Sequence, residues 1–489
     1  MSEPDSAPPN GGQEEPIARA LAARERRVDG LIAALWGGPG RPTDIALALT
    51  FVGAIGARWT LSNCRSEEWI PWMTVLSVGG LMVLWKRNRL GWLLCAIGIG
   101  VPFLTLRDWL TQSFVMLLIA LVGLVTVDGR KPDSGRSVRD AAWLITAGTY
   151  LVAAFHKLNE GFFSVQRGCA NEGWRRVDAM FEWAPLAVPG ALEPALPYAV
   201  VVAEVLIFAL LLRAPRVAIL VGVLFHVPLT WAFAPAFVFV MFIGYAAALS
   251  DEACTRLFRA FLRRFWLCLV VYGLVFGAYA WASGFDSGRS DLWVKTPILA
   301  LVFGLVAEDL WRHPSADTER GVGAAAWRKP RWLAVAAFTV FSLNGLTPYI
   351  GTQMQHTGAM LSNLRIDPEC WNHFVVPSSA IQVDPFLRIE EASLGDSDED
   401  WLDIERILGE RLWNATQVLQ MRRNWCGGDR EPIALSGTFR GEPWAVDNLC
   451  AEGTELPSGP GVLGGDGWFP DFLRHQKNLP RACDMPCIH

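Results

Sequence analysis

The sequence predicts an all-α polytopic membrane bundle of about 11 transmembrane helices, followed by a small α+β extracytoplasmic C-terminal domain. Three observations predict it. Apolar residues gather in blocks of roughly 16–20, the length that crosses hydrocarbon at ~1.5 Å per residue. Lys and Arg recur in alternate loops between the blocks, the asymmetry that orients membrane proteins. Half of the ten cysteines follow the last block, which fits a compartment that permits disulfides. Composition agrees: 52% of the 489 residues are hydrophobic and 19% are charged, against about 25% charged in soluble domains. A net charge of -5 without a basic cluster gives no footprint for nucleic acid.

Residues 1–16 are acidic and rich in Pro and Gly, a composition expected to stay disordered. No apolar h-region follows them, so a cleavable signal peptide is not expected. Residues 17–42 place arginines and apolar residues on opposite faces at helical spacing. They predict an amphipathic helix on the cytoplasmic membrane surface, or equally one packed on the inner face of the bundle. The bundle itself occupies 43–349, with apolar blocks at 43–60, 70–85, 90–106, 109–127, 141–157, 196–213, 216–232, 236–250, 265–283, 294–311 and 332–349. Basic residues cluster before 43 and around 86–89, 130–139, 213–216, 256–264 and 312–331, and are sparser around 62–69, 158–195 and 284–292. With an odd number of spans, this places the N-terminus in the cytoplasm and 350–489 outside the cell membrane. The lipid bilayer is then the first partner.

The cysteines expected outside are Cys64 and Cys169 in outer loops and Cys370, Cys426, Cys450, Cys483 and Cys487 in the C-terminal region; spacing alone assigns no pairing. Cys483, Cys487 and His489 lack the fourth ligand a zinc site needs, so no metal site is predicted. In 350–489, "SAIQVDPFLRIEEASL" and "PIALSGTFRGEPWAVDNL" read as short strands, with "FRGEP" as a hairpin turn. Between them, 400–424 carries apolar residues at helical spacing and is expected to be a helix. The acidic run 396–400 lacks the glycine and final acid of a calcium loop, and "NAT" at 414–416 is a glycosylation sequon on a helix expected to be partly buried.

Polar groups inside the apolar blocks single themselves out, because burying them is costly. His156 and Lys157 end one block, Glu204 lies inside another, His226 in a third, and Glu308 and Asp309 close a fourth. For Glu308 and Asp309, interfacial charge is the simplest account. Glu204 needs a hydrogen-bonding partner, and Glu204 and His226 are placed to face each other across adjacent helices. Lys157 reads as a snorkelling anchor or as a base, since loss of hydration favours the neutral amine. His156 beside it is suited to relaying a proton.

"TYLVAAFHKLNEGFF", 149–163, resembles the segment that marks the vitamin K-dependent γ-carboxylase superfamily, the HTTM (horizontally transferred transmembrane) domain. In that family a span ends in Lys-Leu-Asp/Asn followed by an aromatic residue. "FHVPLTWAFAPAFVFVMFIGY", 225–245, and "LNGLTPYIGTQMQHTGAMLSNLR", 343–365, with "NHFVVP", 372–377, are similar to two further family stretches in the same order. The resemblance implies a lyase-type membrane enzyme with an outward-facing site. Its cofactors would be a reduced quinone (vitamin K-type or menaquinol) with O2 and CO2, and its substrate a Glu-containing protein or peptide. The family lysine matching Lys157 deprotonates the quinol; the base formed after oxygen addition then removes a γ-proton from glutamate, since no lysine removes so weakly acidic a proton. His156 and His226 are further catalytic candidates. The family motif has two consecutive lysines where this chain has His156 and Lys157, and the animal enzymes carry a much larger lumenal part. Two other readings fit the same residues: an inactive membrane scaffold or partner-binding protein, and a proton-linked transporter that uses Glu204 and His226. The chain shows no internal repeat of the kind that favours transport.

Overall fold

The computed structural model describes residues 41–59, 67–105, 110–128, 134–180, 190–282, 290–314, 331–350, 357–380, 386–394, 408–422, 433–457 and 479–484, less a few positions within these ranges, with Cys426, Cys487 and six positions between 19 and 30. The expected disordered tail, the amphipathic helix of 17–42 as a whole, Cys64, His489 and the acidic run 396–400 lie outside the described residues.

Every apolar block is a helix. In chain order the helices are α1 (Pro42–Arg58), α2 (Ile70–Lys86), α3 (Arg89–Thr105), α4 (Thr111–Thr126), α5 (Arg136–His156), then two short connecting helices α6 (Glu160–Phe163) and α7 (Cys169–Met180). They continue with α8 (Leu196–Arg213), α9 (Pro215–Ala232), α10 (Phe237–Ala248), α11 (Asp251–Arg263), α12 (Phe265–Ala282), α13 (Ser290–Arg312) and α14 (Trp332–Leu346). Four stretches are long and apolar enough to cross a membrane: Glu193–Arg213, Pro215–Ala232, Phe265–Ala282 and Trp332–Ile350. The α2, α3, α4 and α10 helices are apolar but shorter. With 12 residues, α10 rises only ~18 Å against ~30 Å of hydrocarbon. The eleven blocks are therefore eleven helices, but not eleven full-length spans.

Helix α5 is the hub. It packs against α4, α8, α10 and α14, while α10 also packs on α1, and α9 bridges α8 to α13. A continuous core that includes Phe51, Met73, Ile119, Ile145, Ile207, Val238 and Phe341 fills the contacts. The outer faces of α8 and α12 stay apolar and exposed, with Val202, Leu206, Trp266, Leu274 and Trp281 facing outward. That is the surface a bilayer would cover.

Charges near one end of the bundle are paired. Arg139 on α5 reaches Asp44 on α1 at 3.3 Å and hydrogen-bonds Thr43, which bonds Asp251 on α11. Asp309 on α13, 6% exposed, bonds the fully buried Arg216 on α9 at 3.0 Å and Arg256 on α11 at 2.7 Å. Glu308 bonds Arg264 and Arg312. For Asp309 this replaces the expected interfacial charge with a buried network, whose arginines compensate the carboxylate. Arg256 and Arg216 hold the Asp309 side chain where helices α9, α11 and α13 converge.

The C-terminal region carries a five-stranded antiparallel sheet, order β4-β3-β1-β2-β5, from β1 (Phe386–Leu394), β2 (Arg411–Asn414), β3 (Ile433–Phe439), β4 (Glu442–Val446) and β5 (Leu479–Pro480). The expected turn is a two-residue hairpin: Phe439 pairs Glu442 across Arg440 and Gly441, both at positive φ (55° and 82°). Such a turn matches the strand twist, and glycine takes that conformation without strain. A bulge between Ile389 and Glu391 shifts the inward side from Leu387 and Ile389 to Ala392. The helix expected over 400–424 is interrupted: the described positions 408–410, 415, 417, 418 and 422 are helical, but four residues between them are not. Arg411–Asn414 is a strand, because Leu412 and Trp413 bury against β1 and β5 while the backbone pairs on both sides. Asn414 is 1% exposed and accepts a hydrogen bond from the Gln417 amide, so the sequon is inaccessible to a glycosyl donor.

Three disulfides form, Cys169–Cys487, Cys370–Cys483 and Cys426–Cys450, while Cys95, Cys254 and Cys268 on α3, α11 and α12 are free and buried. The division follows placement: cysteines inside the bundle stay thiols, and those at the α7 end and in the sheet region are bridged. Alkylation of the unfolded but unreduced protein is expected to label Cys95, Cys254 and Cys268 while sparing the six bridged residues. Peptide mass spectrometry before and after reduction checks it.

Candidate functional site

The motif "FHKLNEGFF" ends one helix and starts another. Helix α5 stops at His156, and Asn159 takes an extended conformation (φ -144°, ψ 154°) as the N-cap of α6, accepting from the Phe162 amide. The Asn159 Nδ2 donates to the carbonyls of His156 at 2.7 Å and Ser362 at 2.6 Å, so every polar atom of this buried side chain is used. Asn159 also pairs with His373 as an isolated bridge, with Glu160 N donating to Asn372 O and Phe374 N to Leu158 O. Gly161 permits the approach: a Cβ there would lie 2.9 Å from Asn372 Nδ2 and 3.1 Å from Asn363 O. The C-terminal region thus closes over the end of α5.

Under that closure Lys157 is 4% exposed. Its Nζ donates to Glu204 Oε1 on α8 at 2.8 Å and to its own helix at Ala153 O, 3.4 Å, and lies 5.8 Å from the Phe162 ring centroid. Glu204 is also 4% exposed, and its Oε2 has no hydrogen-bond partner among the described residues. The partner Glu204 needs is Lys157, not His226. Lys157 is accordingly no snorkelling anchor, because its head group points into protein.

The pair faces a cavity with about 690 Å³ of atom-free space, its mouth included. Helix α5 contributes Thr149, Tyr150, Ala153 and Lys157, and α9 contributes Phe225, His226 and Leu229, each set on one helical face. Phe162, Phe233, Phe237 and Met241 add flat and flexible apolar walls, and Cys169, Gly358 and Leu361 close the outer side. Thr111 of α4 also lines it, 1% exposed and with no partner for its Oγ1 among the described residues. Such a hollow, apolar with few convergent polar groups, is the usual form of a small-molecule site.

His226 joins the same cavity through a second polar string. Its Nε2 lies 2.7 Å from the Tyr150 hydroxyl, which in turn bonds the Tyr245 hydroxyl of α10. Gly222 makes room for Tyr245, whose Oη would sit 1.9 Å from a Cβ at that position. Sequence reasoning missed both tyrosines, since a tyrosine in an apolar block reads as core. The available signal was spacing: Tyr150 stands seven residues before Lys157, on the same face of α5.

His156 does not join the site. One residue before Lys157, it turns to another face of α5, where Nδ1 lies 2.8 Å from Tyr349 Oη and Nε2 3.4 Å from Thr357 O. The carbonyl can only accept, so Nε2 carries the proton and Tyr349 donates to Nδ1. His373 stacks into the same cluster, accepting from the Val375 and Val376 amides at Nδ1 and donating from Nε2 to Phe155 O at 3.0 Å. Six of the seven cysteine candidates are bridged, Cys64 being outside the described residues. No group of residues suited to hold a metal occurs among the described residues. Compared with known protein families, with characterised proteins and with solved structures, the chain finds no match.

Two outcomes follow from this geometry. Glu204→Gln strands the Lys157 charge and is expected to cost about 3–5 kcal/mol. Lys157→Met combined with Glu204→Leu restores most of the loss, read as thermal unfolding in detergent. Burial holds His373 below the ordinary histidine range. It stays neutral when folded and takes a proton when unfolded, so the junction is fully stable above pH ~6.5 and weakens as pH falls below it. Proteolysis of the C-terminal region across that window checks the dependence, which His373→Asn should flatten.

Proposed function

We propose that the chain is a quinol-dependent membrane enzyme of the γ-carboxylase-like class, with the Lys157–Glu204 pair as its proton acceptor. One observation carries the reading: a buried amine and carboxylate form the polar end of a cavity walled by aromatic rings. In this reading the eleven helices form the bundle of an inner-membrane protein with its N-terminus in the cytoplasm. The paired arginines of α9 and α11 then lie inside, and the C-terminal region lies outside over the cavity.

The residues present fit a reduced quinone, of vitamin K or menaquinone type. Phe162, Phe225, Phe233 and Phe237 would flank a planar ring, and Lys157 and Glu204 would hold one ring hydroxyl. When bound, the quinol supplies the electrons for oxygen activation and, through it, a base far stronger than any side chain. The chain's own part is milder. Glu204 Oε2 has free acceptor capacity for the hydroxyl proton, and the Lys157 ammonium stabilises the oxyanion left behind. The pair works as a unit, so Lys157 is a catalytic residue whether the proton rests on Nζ or on Oε2. His226, with Tyr150 and Tyr245, adds a second hydrogen-bonded string of proton-accepting and proton-donating groups beside the pair. Thr111 and Thr149 supply hydroxyls to a polar ligand group. A Glu-containing peptide with CO2 is the proposed second substrate. The scaffold and transport readings have no separate support in this geometry.

Purified protein given reduced quinone, oxygen and a Glu-containing peptide is expected to form quinone epoxide and to fix labelled CO2. Lys157→Ala and Glu204→Gln should each slow both by about 10²–10⁴-fold. Epoxide without CO2 fixation would keep an oxygenase and discard the carboxylase. Neither product with several quinones would leave the scaffold reading.

A further inference from the structure

One wall of the cavity is a cysteine. Cys169, at the start of α7, lines it and packs with Phe162 and Leu361. Its disulfide partner, Cys487, is half-buried in the same apolar cluster. Four residues earlier in the same segment, Cys483 is exposed and bridged to Cys370. One short stretch, 483–487, therefore carries one half of a solvent-facing disulfide and one half of a cavity-facing disulfide. The stretch is anchored on both sides of its outer cysteine: Arg365 donates to Ala482 O at 2.7 Å, and Arg167 pairs with Asp484.

We propose that the two disulfides form a relay that passes two electrons from a dithiol in solvent to a quinone in the cavity. The inference rests on the quinone reading of that cavity and adds to it a thiol:quinone oxidoreductase activity, by which quinone, not its epoxide, is reduced to quinol. The steps balance. A solvent dithiol reduces Cys370–Cys483 and leaves as its own disulfide. The Cys483 thiolate attacks Cys487, forming Cys483–Cys487 and freeing Cys169. Cys370 then attacks Cys483, restoring Cys370–Cys483 and freeing Cys487. Cys169 and Cys487, now a dithiol at the cavity wall, close to a disulfide again, and their two electrons and two protons convert quinone to quinol. The net reaction is dithiol plus quinone to disulfide plus quinol.

The test uses the full chain in detergent under argon, with dithiothreitol and a naphthoquinone substituted at both ring positions beside the carbonyls, so that thiols are not arylated irreversibly. Two readouts are followed: quinol absorbance, and differential alkylation of each cysteine by peptide mass spectrometry. The expected result is quinol formation above the rate with dithiothreitol alone. Adding quinone to reduced wild-type protein should also close Cys169–Cys487. Cys169→Ser and Cys487→Ser should fall to background, and Cys483→Ser should slow reduction of the inner pair. The proposal is overturned if quinone leaves Cys169 and Cys487 of the reduced wild type open to alkylation, a result that needs no variant to fold. Equal quinol rates in wild type and Cys169→Ser overturn it as well. Oxygen uptake from added quinol by the unreduced protein reads the cavity without thiols. Uptake without thiol exchange sinks the relay alone; loss of both sinks the relay and the quinone reading together.

Discussion

A single contact between Lys157 at the end of α5 and Glu204 on α8, 2.8 Å long and 4% exposed at each residue, organises the half of the molecule that meets the C-terminal region. Two opposite charges withdrawn from water are tolerated only together. Each therefore fixes the other's helix: α8 must present Glu204 where α5 ends, and α5 must end where its last turn can reach. The pair also needs cover. Asn159, Gly161 and the bridge to His373 draw the C-terminal region across the helix end, and Cys169–Cys487 fastens the edge of that cover. A seal of this kind explains why so many polar side chains in 357–373 are buried, among them Thr357, Ser362, Asn363, Arg365 and Asp367. Asn363 accepts from the Cys169 amide and donates to the Arg167 carbonyl, the Ser362 carbonyl accepts from Asn159 Nδ2, and Arg365 pairs with Asp367.

The same contact separates the two consecutive candidates His156 and Lys157. On a helix, adjacent residues point about 100° apart, so only one of them enters the cavity. Lys157 faces the cavity, and His156 becomes part of the Tyr349–His373 cluster that closes the helix end. The remaining polar residues of the cavity come from α4, α5, α8 and α9. No single block of sequence holds the site; it exists only where these helices converge.

Most of the helices were legible in the sequence because hydrocarbon-length apolar blocks are a strong signal. Blocks and helices agree closely, as at 196–213 and 332–349 against Leu196–Arg213 and Trp332–Leu346. Helix α5 begins earlier than its apolar block, at Arg136, because Arg139 finds Asp44 and Thr43 to bond. Within 400–424 the helical pattern held at described positions on either side and failed only at Arg411–Asn414, where strand pairing on both edges outweighed it. At the site, Lys157, Glu204 and His226 stood out as polar residues among apolar ones, but their partners did not. Which carboxylate meets which cation depends on helix rotation and packing, and Tyr150, Tyr245 and Thr111 carry no charge to betray them. Disulfide pairing was likewise set by folding, since spacing gives Cys487 no reason to prefer Cys169 over the much nearer Cys483.

The paired charges make sense as chemistry if a ligand with an ionisable hydroxyl sits against them, and as mere packing if nothing enters the hollow. An experimental density map of the protein with a naphthoquinol bound under argon decides most directly. The ring is expected between Phe162, Phe225, Phe233 and Phe237, with one oxygen within hydrogen-bonding distance of Lys157 Nζ. A ring located elsewhere, with the Lys157–Glu204 contact still closed and the hollow filled by side chains, would contradict it.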